Sequence, residues 1–255
     1  KAAGYNNAQA VAESINIGGL AVGILYADAD AHGYSRAELE NNVTITWAGA
    51  LIVEADNTNY AYAEYDLTNV GLISGTGGDA QAIVPNTASV KALVGQNVTV
   101  NSSDDIEIKA TSLAEADAIA TGASGGAVNV SASDASARVE TTVTAEVGSN
   151  SQITTSNGSV TVAASNGKEI TTHDGSVVKN DNVTSTYAKS AGGGLVDVKG
   201  ADTRSTVEVD VRVVVGDNVT IKAGKNLSIT SLSAGNATAE SAQAGGGAVA
   251  VGAGE

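Results

Sequence analysis

The chain has 255 residues, 28 acidic and 13 basic, which gives a formal net charge of −15 at pH 7. This charge argues against nucleic-acid binding, which needs a basic face, and against attraction to anionic lipid. The chain has no Met or Phe, one Pro and one Trp. It also has no Cys, which excludes disulfides and thiolate metal sites. Without Met, we expect it to be an internal or processed piece of a longer protein. No apolar run approaches the roughly 20 residues of a membrane span.

A glycine followed by a short aliphatic run opens each of five segments. The segments begin at Gly19, Gly71, Gly126, Gly194 and Gly247, so the unit recurs after 52, 55, 68 and 53 residues. Self-similarity at a nearly constant period is typical of stacked repeat architectures. We therefore predict a single solenoid over residues 1–255, with partial repeats 1–18 and 247–255 and full repeats 19–70, 71–125, 126–193 and 194–246.

An Asn-Val-Thr anchor follows the aliphatic run in most repeats. It begins at Asn42, Asn97 and Asn218, and a degenerate copy begins at Ser151. Since Asn favours tight turns, the anchor predicts a turn followed by a strand. A short strand comes about ten residues later, and an alanine-alternating stretch precedes the next glycine. These segments alternate apolar and polar residues, which is the period of a β-strand and not of a helix.

About six short strands per repeat predict an all-β fold, a right-handed parallel β-solenoid (β-helix). We expect repeats of about 53 residues, each of two three-strand coils of about 25 residues. Each strand would pair with its equivalent in the next coil at ~4.8 Å, so that roughly ten coils form a rod near 45–50 Å long. The alternation predicts apolar side chains inward, with Thr, Ser, Asn, Asp and Lys outward.

Two departures from the repeat are candidate contact sites. The third full repeat is longer by about 14 residues, which predicts an insertion at 165–180 that projects as a hairpin and contains His173. The first repeat holds most of the aromatic residues, and such a cluster is typical of a glycan or protein contact surface. A wider core, or packing against a preceding domain, would explain the same residues. The candidate contact residues are Trp47, Tyr60, Tyr62, Tyr65 and His173.

Paired carboxylates are the candidate metal ligands. Asp28 and Asp30 would share one face of a strand, and Asp104 and Asp105 are adjacent. Such pairs are costly when buried, so we expect them to face solvent or to bind Ca²⁺, the one cofactor considered. Basic residues are scattered and no catalytic motif is present, so we expect no enzyme activity. A polysaccharide-active β-helix enzyme is the alternative.

Asn-x-Ser/Thr acceptor patterns are dense in the chain. The repeated anchor supplies three of them, and these are the candidate glycosylation sites: Asn42, Asn97 and Asn218. Turn chemistry and strand propensity explain the same residues without glycosylation. The sequence leaves both interpretations open.

The phrase Val-Gly-Asp-Asn-Val-Thr-Ile-Lys-Ala-Gly-Lys-Asn-Leu-Ser-Ile at residues 215–229 resembles the repeats of large secreted bacterial β-helical adhesins. These are the filamentous-haemagglutinin-like exoproteins and the passenger regions of autotransporters. The glycine-rich phrase at 245–251 is similar, and the resemblance covers the chain from about Gly71 onward.

The resemblance implies an extracellular or cell-surface structural shaft that acts in adhesion. Its partners would be further repeats of the same chain, or neighbouring identical subunits, and a glycan or protein on a host or neighbouring cell. The alternative function is a self-assembling extracellular filament or sheath subunit that polymerises end to end, since neither chain end resembles a polar cap.

Overall fold

The computed structural model describes residues 1–167, 170–171, 177–178 and 182–254. All regular secondary structure among them is β. No described helix is long and apolar enough to be a membrane span. The strands group into four coils and the beginning of a fifth.

The first coil comprises β1 (Ala2–Ile17), β2 (Leu20–Asp30), β3 (Ser35–Leu39) and β4 (Thr44–Ala48). The second comprises β5 (Leu51–Val70), β6 (Ile73–Val84), β7 (Ser89–Val94) and β8 (Thr99–Ser102). The third comprises β9 (Ile106–Gly125), β10 (Val128–Val139), β11 (Thr142–Val147) and β12 (Gln152–Thr155). The fourth comprises β13 (Val160–Asn166), β14 (Ile170–Thr171), β15 (Val177–Val178), β16 (Asn182–Gly193), β17 (Val196–Val207), β18 (Asp210–Val215) and β19 (Thr220–Lys222). The fifth begins with β20 (Leu227–Ser233), β21 (Gly235–Gly246) and β22 (Val249–Gly254).

Equivalent strands of successive coils stack into four parallel sheets. Sheet A contains β1, β5 and β9, followed by β13 with β16 and then β20 with β21. Sheet B is β2-β6-β10-β17-β22, sheet C is β3-β7-β11-β18 and sheet D is β4-β8-β12-β19. The predicted all-β architecture of stacked parallel strands is confirmed.

The prediction of two three-strand coils per repeat is wrong. Ala2 pairs with Ala55 and Leu20 with Ile73, so one circuit takes 53 residues in the first coil. Two strands that the sequence predicts as separate join into one 20-residue strand, β5.

The predicted rod is therefore wrong in its proportions. Five strands of sheet B stacked at ~4.8 Å extend only about 24 Å along the solenoid axis. A straight 20-residue strand such as β5 is about 66 Å long. The segment is wider than it is tall.

Two apolar cores lie side by side within each coil. The wider core lies between sheets C and D and the first half of sheet A, and it is filled by Val and Ile such as Val100 and Ile108. The second half of sheet A packs on sheet B to form an arm, whose core is almost entirely alanine. A seam of buried polar residues separates the two cores: Asn57, Asn59, Ser112 and Asn166.

The arm ends in a tip, where the chain turns from sheet A to sheet B at the glycine-aliphatic runs. Here the predicted orientation of the alternation is wrong. Val128, Val130, Val196 and Val198 face solvent, whereas Asn129, Ser131, Asp197 and Lys199 are buried. The orientation along β10 and β17 is set nearer the centre, where Ala137 and Ala201 pack inward, and a pleated strand must keep that alternation to its end.

The insertion lies between β13 and β16, both of which pair with β9. Within it, β14 and β15 pair antiparallel, Ile170 with Val178. Across the insertion the offset between paired residues rises to 68, as between Val128 and Val196. His173 lies outside the described residues.

Candidate functional site

Two tyrosines form a stacked pair on the outer face of sheet A. Alternation along β5 turns Tyr60 and Tyr62 outward, so that their rings lie with centroids 6.4 Å apart and planes inclined by 22°. In the next coil Glu115 is in register with Tyr60, and Asp117 is in register with Tyr62. The register thus places an aromatic pair beside a carboxylate pair.

Hydrogen bonds hold both phenol groups against carboxylates. Tyr62 Oη donates to Glu64 Oε2 at 2.5 Å, and Tyr60 Oη donates to Asp117 Oδ2 at 3.4 Å. Burial, and then the charges of Asp117 and Glu115, raise the pKa of Tyr60 to about 12. The hydrogen bond to Glu64, and then burial, raise the pKa of Tyr62 to about 12. Both phenols are therefore neutral donors at physiological pH, beside acceptors that suit hydroxyl groups.

Neither a protein-family model, nor a curated protein, nor a solved structure matches the chain.

Tyr65 and Trp47, two of the other predicted contact residues, do not join this tyrosine pair. Tyr65 faces inward and is fully buried in the arm, so its assignment to a contact surface is wrong. Trp47 is 80% exposed but lies in sheet D, where the pairing register shifts between Ile45 and Ala48. The odd-numbered residues of β5 point inward. Tyr65 therefore lies on the opposite face from Tyr62, although only two residues separate them in the sequence.

The candidate glycosylation residues form an asparagine ladder at one corner of the solenoid. Asn42, Asn97 and Asn218 have φ of 62°, 56° and 56°, in the left-handed region that Asn tolerates better than most residues. Asn97 Nδ2 donates to Asn42 Oδ1 at 3.1 Å, and Asn218 Nδ2 donates to Asn150 Oδ1 at 3.2 Å. Turn geometry accounts for asparagine here, and glycosylation stays a prediction.

The degenerate copy of the anchor begins one residue earlier than predicted. Thr99 pairs with Gln152, so Asn150, and not Ser151, is equivalent to Asn97. Asn150 has the same left-handed conformation, with φ of 60°. Gly148 stands two residues before Asn150, as Gly95 does before Asn97, and this spacing is the signal that identifies the residue.

The candidate calcium ligands lie in different parts of the coil. Asp28 and Asp30 both face outward on β2, and His32 Nε2 lies 3.7 Å from Asp30 Oδ2. Asp104 and Asp105 lie in the corner before β9, where Asp105 Oδ1 accepts a hydrogen bond from the Ser159 amide at 2.7 Å. Among the described residues, no three His, Asp or Glu side chains come together as a metal site.

The tip contains a buried polar network that sequence reasoning missed. Asn129 Nδ2 donates to Asp197 Oδ1 at 2.8 Å and to the Ser124 carbonyl at 3.0 Å. Asp197 forms an ion pair with Lys199, whose ammonium also donates to the Gly192 carbonyl at 3.2 Å. The side chains of Asp197 and Lys199 are 0% and 5% exposed. The network ties the third and fourth coils together inside the tip.

We expect mild acid to stabilise the fold. Burial, and then the charge of Glu54, raise the pKa of Asp56 from 3.8 to about 6. Burial also raises the pKa of Glu115 and of Asp117. The folded state therefore binds more protons than the unfolded state between pH 4 and 6, and stability falls as pH rises through this window. The melting temperature should be higher at pH 5 than at pH 7.

Calorimetry at the two pH values measures this effect. Asp56→Asn should reduce the difference in melting temperature, whereas Asp66→Asn, at an exposed position on the same strand, should leave it nearly unchanged. A melting temperature that rises from pH 5 to pH 7 would contradict the assignment.

Proposed function

We propose that this chain is a segment of the structural shaft of a large bacterial cell-surface or secreted protein, wound as a right-handed solenoid, and that it acts in adhesion. The observation that carries the proposal is the stacking of equivalent strands of sheet A from one coil to the next. Leu51 pairs with Ile106, Ile106 with Val160 and Val160 with Leu227. Because each coil buries its edges only against its neighbours, such a stack grows along one axis. Right-handed winding follows the strong preference of parallel crossovers.

The breadth of the coil supports a role in binding a ligand as well as in extending the shaft. One circuit of 53 residues, such as that from Leu20 to Ile73, advances the axis by only about 4.8 Å. Most of the chain therefore contributes wide outer faces and lateral stiffness. An adhesive shaft needs both, since it must stand away from a surface and present binding groups along its side.

The tyrosine pair is the adhesive site that we propose, with a glycan as its ligand. Stacked rings at Tyr60 and Tyr62 offer flat apolar surface to the face of a sugar ring. Glu64, Glu115 and Asp117 supply acceptors beside them for sugar hydroxyl groups. The local charge is negative, so a neutral or cationic glycan is favoured over an acidic one.

A glycan array probed with the purified chain tests this site. We expect binding to neutral glycans, and Tyr60→Ala with Tyr62→Ala should reduce it at least tenfold. The matched control is Tyr34→Ala, because Tyr34 is 75% exposed outside the cluster. Binding that survives the double substitution, or that Tyr34→Ala abolishes equally, would refute the tyrosine pair as the site.

A filament or sheath subunit is the second candidate function, favoured by the open edges of the stack. Among the described strands, β1 and β2 lie at one end of their sheets and β22 lies at the other end of sheet B. Such edges present unpaired amide and carbonyl groups that template further strands. These groups could pair either with a second copy of the chain or with further coils of the same chain.

Negative-stain electron microscopy of the purified chain separates the two functions. A shaft segment should give particles of uniform size. A filament subunit should give polymers of indefinite length that grow along the axis as concentration rises.

A further inference from the structure

The outer face of sheet B near the tip carries an exposed aliphatic stripe. Its residues are each 39–70% exposed. They stand in two registered columns. The first column has an aliphatic residue on all five strands of the sheet, and the second has one on four strands, with Gly75 at its position on β6. The stripe consists of Leu20, Ile73, Val128, Val196 and Val249 in the first column, Val22, Val130, Val198 and Val251 in the second, and Ile24 beside them.

The stripe differs from the outer face of sheet C, where Arg36 and Lys91 are in register and Glu38 and Glu146 also face outward. Neither column of the stripe contains a charged residue, although the net charge of the chain is −15. Five strands by five residues give a footprint of about 24 Å by 16 Å, roughly 400 Å². Patches of this size are often functional.

We propose that the stripe is covered by a second copy of this chain, packed face to face with both solenoid axes pointing the same way. An identical sheet has the same ~4.8 Å spacing between its strands, so that equivalent ridges of the two faces meet at the same height along the stack. A standard interface buries about 800 Å² per partner. One segment therefore pairs weakly, and every added coil enlarges the interface.

The acidic column beside the stripe decides the relative direction of the two copies. Asp79, Asp134 and Asp202 are in register on the same outer face. If the two axes ran in opposite directions, the two acidic columns would face each other. When the solenoid axes point in the same direction, the two copies can be related by a two-fold axis that runs along the column containing Val130. The acidic column of each copy is four residues farther along the strands, so it lies about 13 Å to one side of this two-fold axis. The two columns then lie on opposite rims, and only apolar residues meet.

Charge substitution in the second column tests the pairing. Sedimentation of the unaltered chain from about 10 µM to 1 mM should show a reversible monomer–dimer equilibrium. Val130→Lys with Val198→Lys should abolish the dimer, because residues 130 and 198 face their own copies across the two-fold axis. An equimolar mixture of this variant with Val130→Glu plus Val198→Glu should restore a dimer. Val214→Lys is the matched control, since Val214 is 37% exposed on sheet C and Val198 is 39% exposed.

Cross-linking tests the direction. The chain has no Cys, so one cysteine can be introduced in each copy. A bismaleimide of about 10 Å, the spacing of packed sheets, can then join the two thiols. Val251→Cys should cross-link to itself and should not cross-link to Val22→Cys. The reverse result would overturn the shared direction.

Three results would overturn the pairing itself. They are a chain that stays monomeric at about 1 mM, a dimer that survives the lysine substitutions, and a dimer that Val214→Lys abolishes equally. Flotation of the monomer with phosphatidylcholine vesicles, lost in the lysine variant, would assign the stripe to lipid instead.

Discussion

Replacing Lys199 by Ser should lower the free energy of unfolding by about 3–5 kcal/mol, the cost of leaving a buried charge without its partner. The Asp197 carboxylate is fully buried, and Lys199 provides its positive charge. Asn129 still donates one hydrogen bond to it, but one neutral donor does not offset the desolvation of a carboxylate. The loss should be measured by urea unfolding, read at an unchanged m-value.

The chain itself contains the matched control for this change. In the preceding coil, Asn129 and Ser131 occupy the positions in register with Asp197 and Lys199. The double variant Asp197→Asn with Lys199→Ser copies that neutral arrangement, so its stability should lie within about 1 kcal/mol of the unaltered chain. If the double variant is as unstable as Lys199→Ser alone, packing and not charge accounts for the loss.

The buried pair shows why part of the fold cannot be read from the sequence. The run Val196-Asp197-Val198-Lys199 alternates apolar and polar residues, and the alternation correctly predicts a strand. Alternation does not show which face of the strand is buried, and the composition suggests that the valine side chains are. The orientation is fixed instead by Ala201 packing in the arm core, which is a tertiary constraint on the same strand.

The length of the coil cannot be read from the sequence for a related reason. The alternation predicts strands at residues 50–55 and 60–63, but nothing local states whether they are one strand or two. They are one strand because Asn57 and Asn59 are accommodated inside, where Asn59 Oδ1 accepts a hydrogen bond from the Gly33 amide at 3.0 Å. Asparagine in such a place reads as a turn in sequence. The corner asparagines, by contrast, follow local backbone preferences, and the turn predicted there at Asn97 is present.

Tyr65→Ala should lower the free energy of unfolding by about 3–5 kcal/mol, the range for losing a buried aromatic side chain. Tyr65 is the largest side chain in an arm core built mainly of alanine. A Cβ at Gly78 would lie 2.8 Å from its Cζ and 2.5 Å from the Leu25 carbonyl oxygen. The ring thus fills space that only glycine leaves open, and rigid backbone limits how far the arm can close around a cavity.

Two controls separate this packing role from a surface role. Tyr65→Phe keeps the ring and should cost under about 1.5 kcal/mol, because the phenol's hydrogen bond to the Ala132 carbonyl is long at 3.5 Å. Tyr62→Ala removes a tyrosine from the outer face of the same strand and should cost under about 1 kcal/mol. Equal losses for Tyr65→Ala and Tyr62→Ala in urea unfolding would contradict a core role for Tyr65.

Alkaline titration gives an independent signature of the same burial. Burial raises the pKa of Tyr65 from 10.0 to about 12. The folded state therefore holds the phenol proton more tightly than the unfolded state, so this contribution is present below pH 10 and is lost as pH rises through 12. Tyr65→Phe cannot ionise at this position, so its stability should fall less steeply between pH 10 and 12. An unchanged slope would mean that the buried ring contributes nothing to the alkaline loss and that Tyr60 and Tyr62 carry it on the outer face.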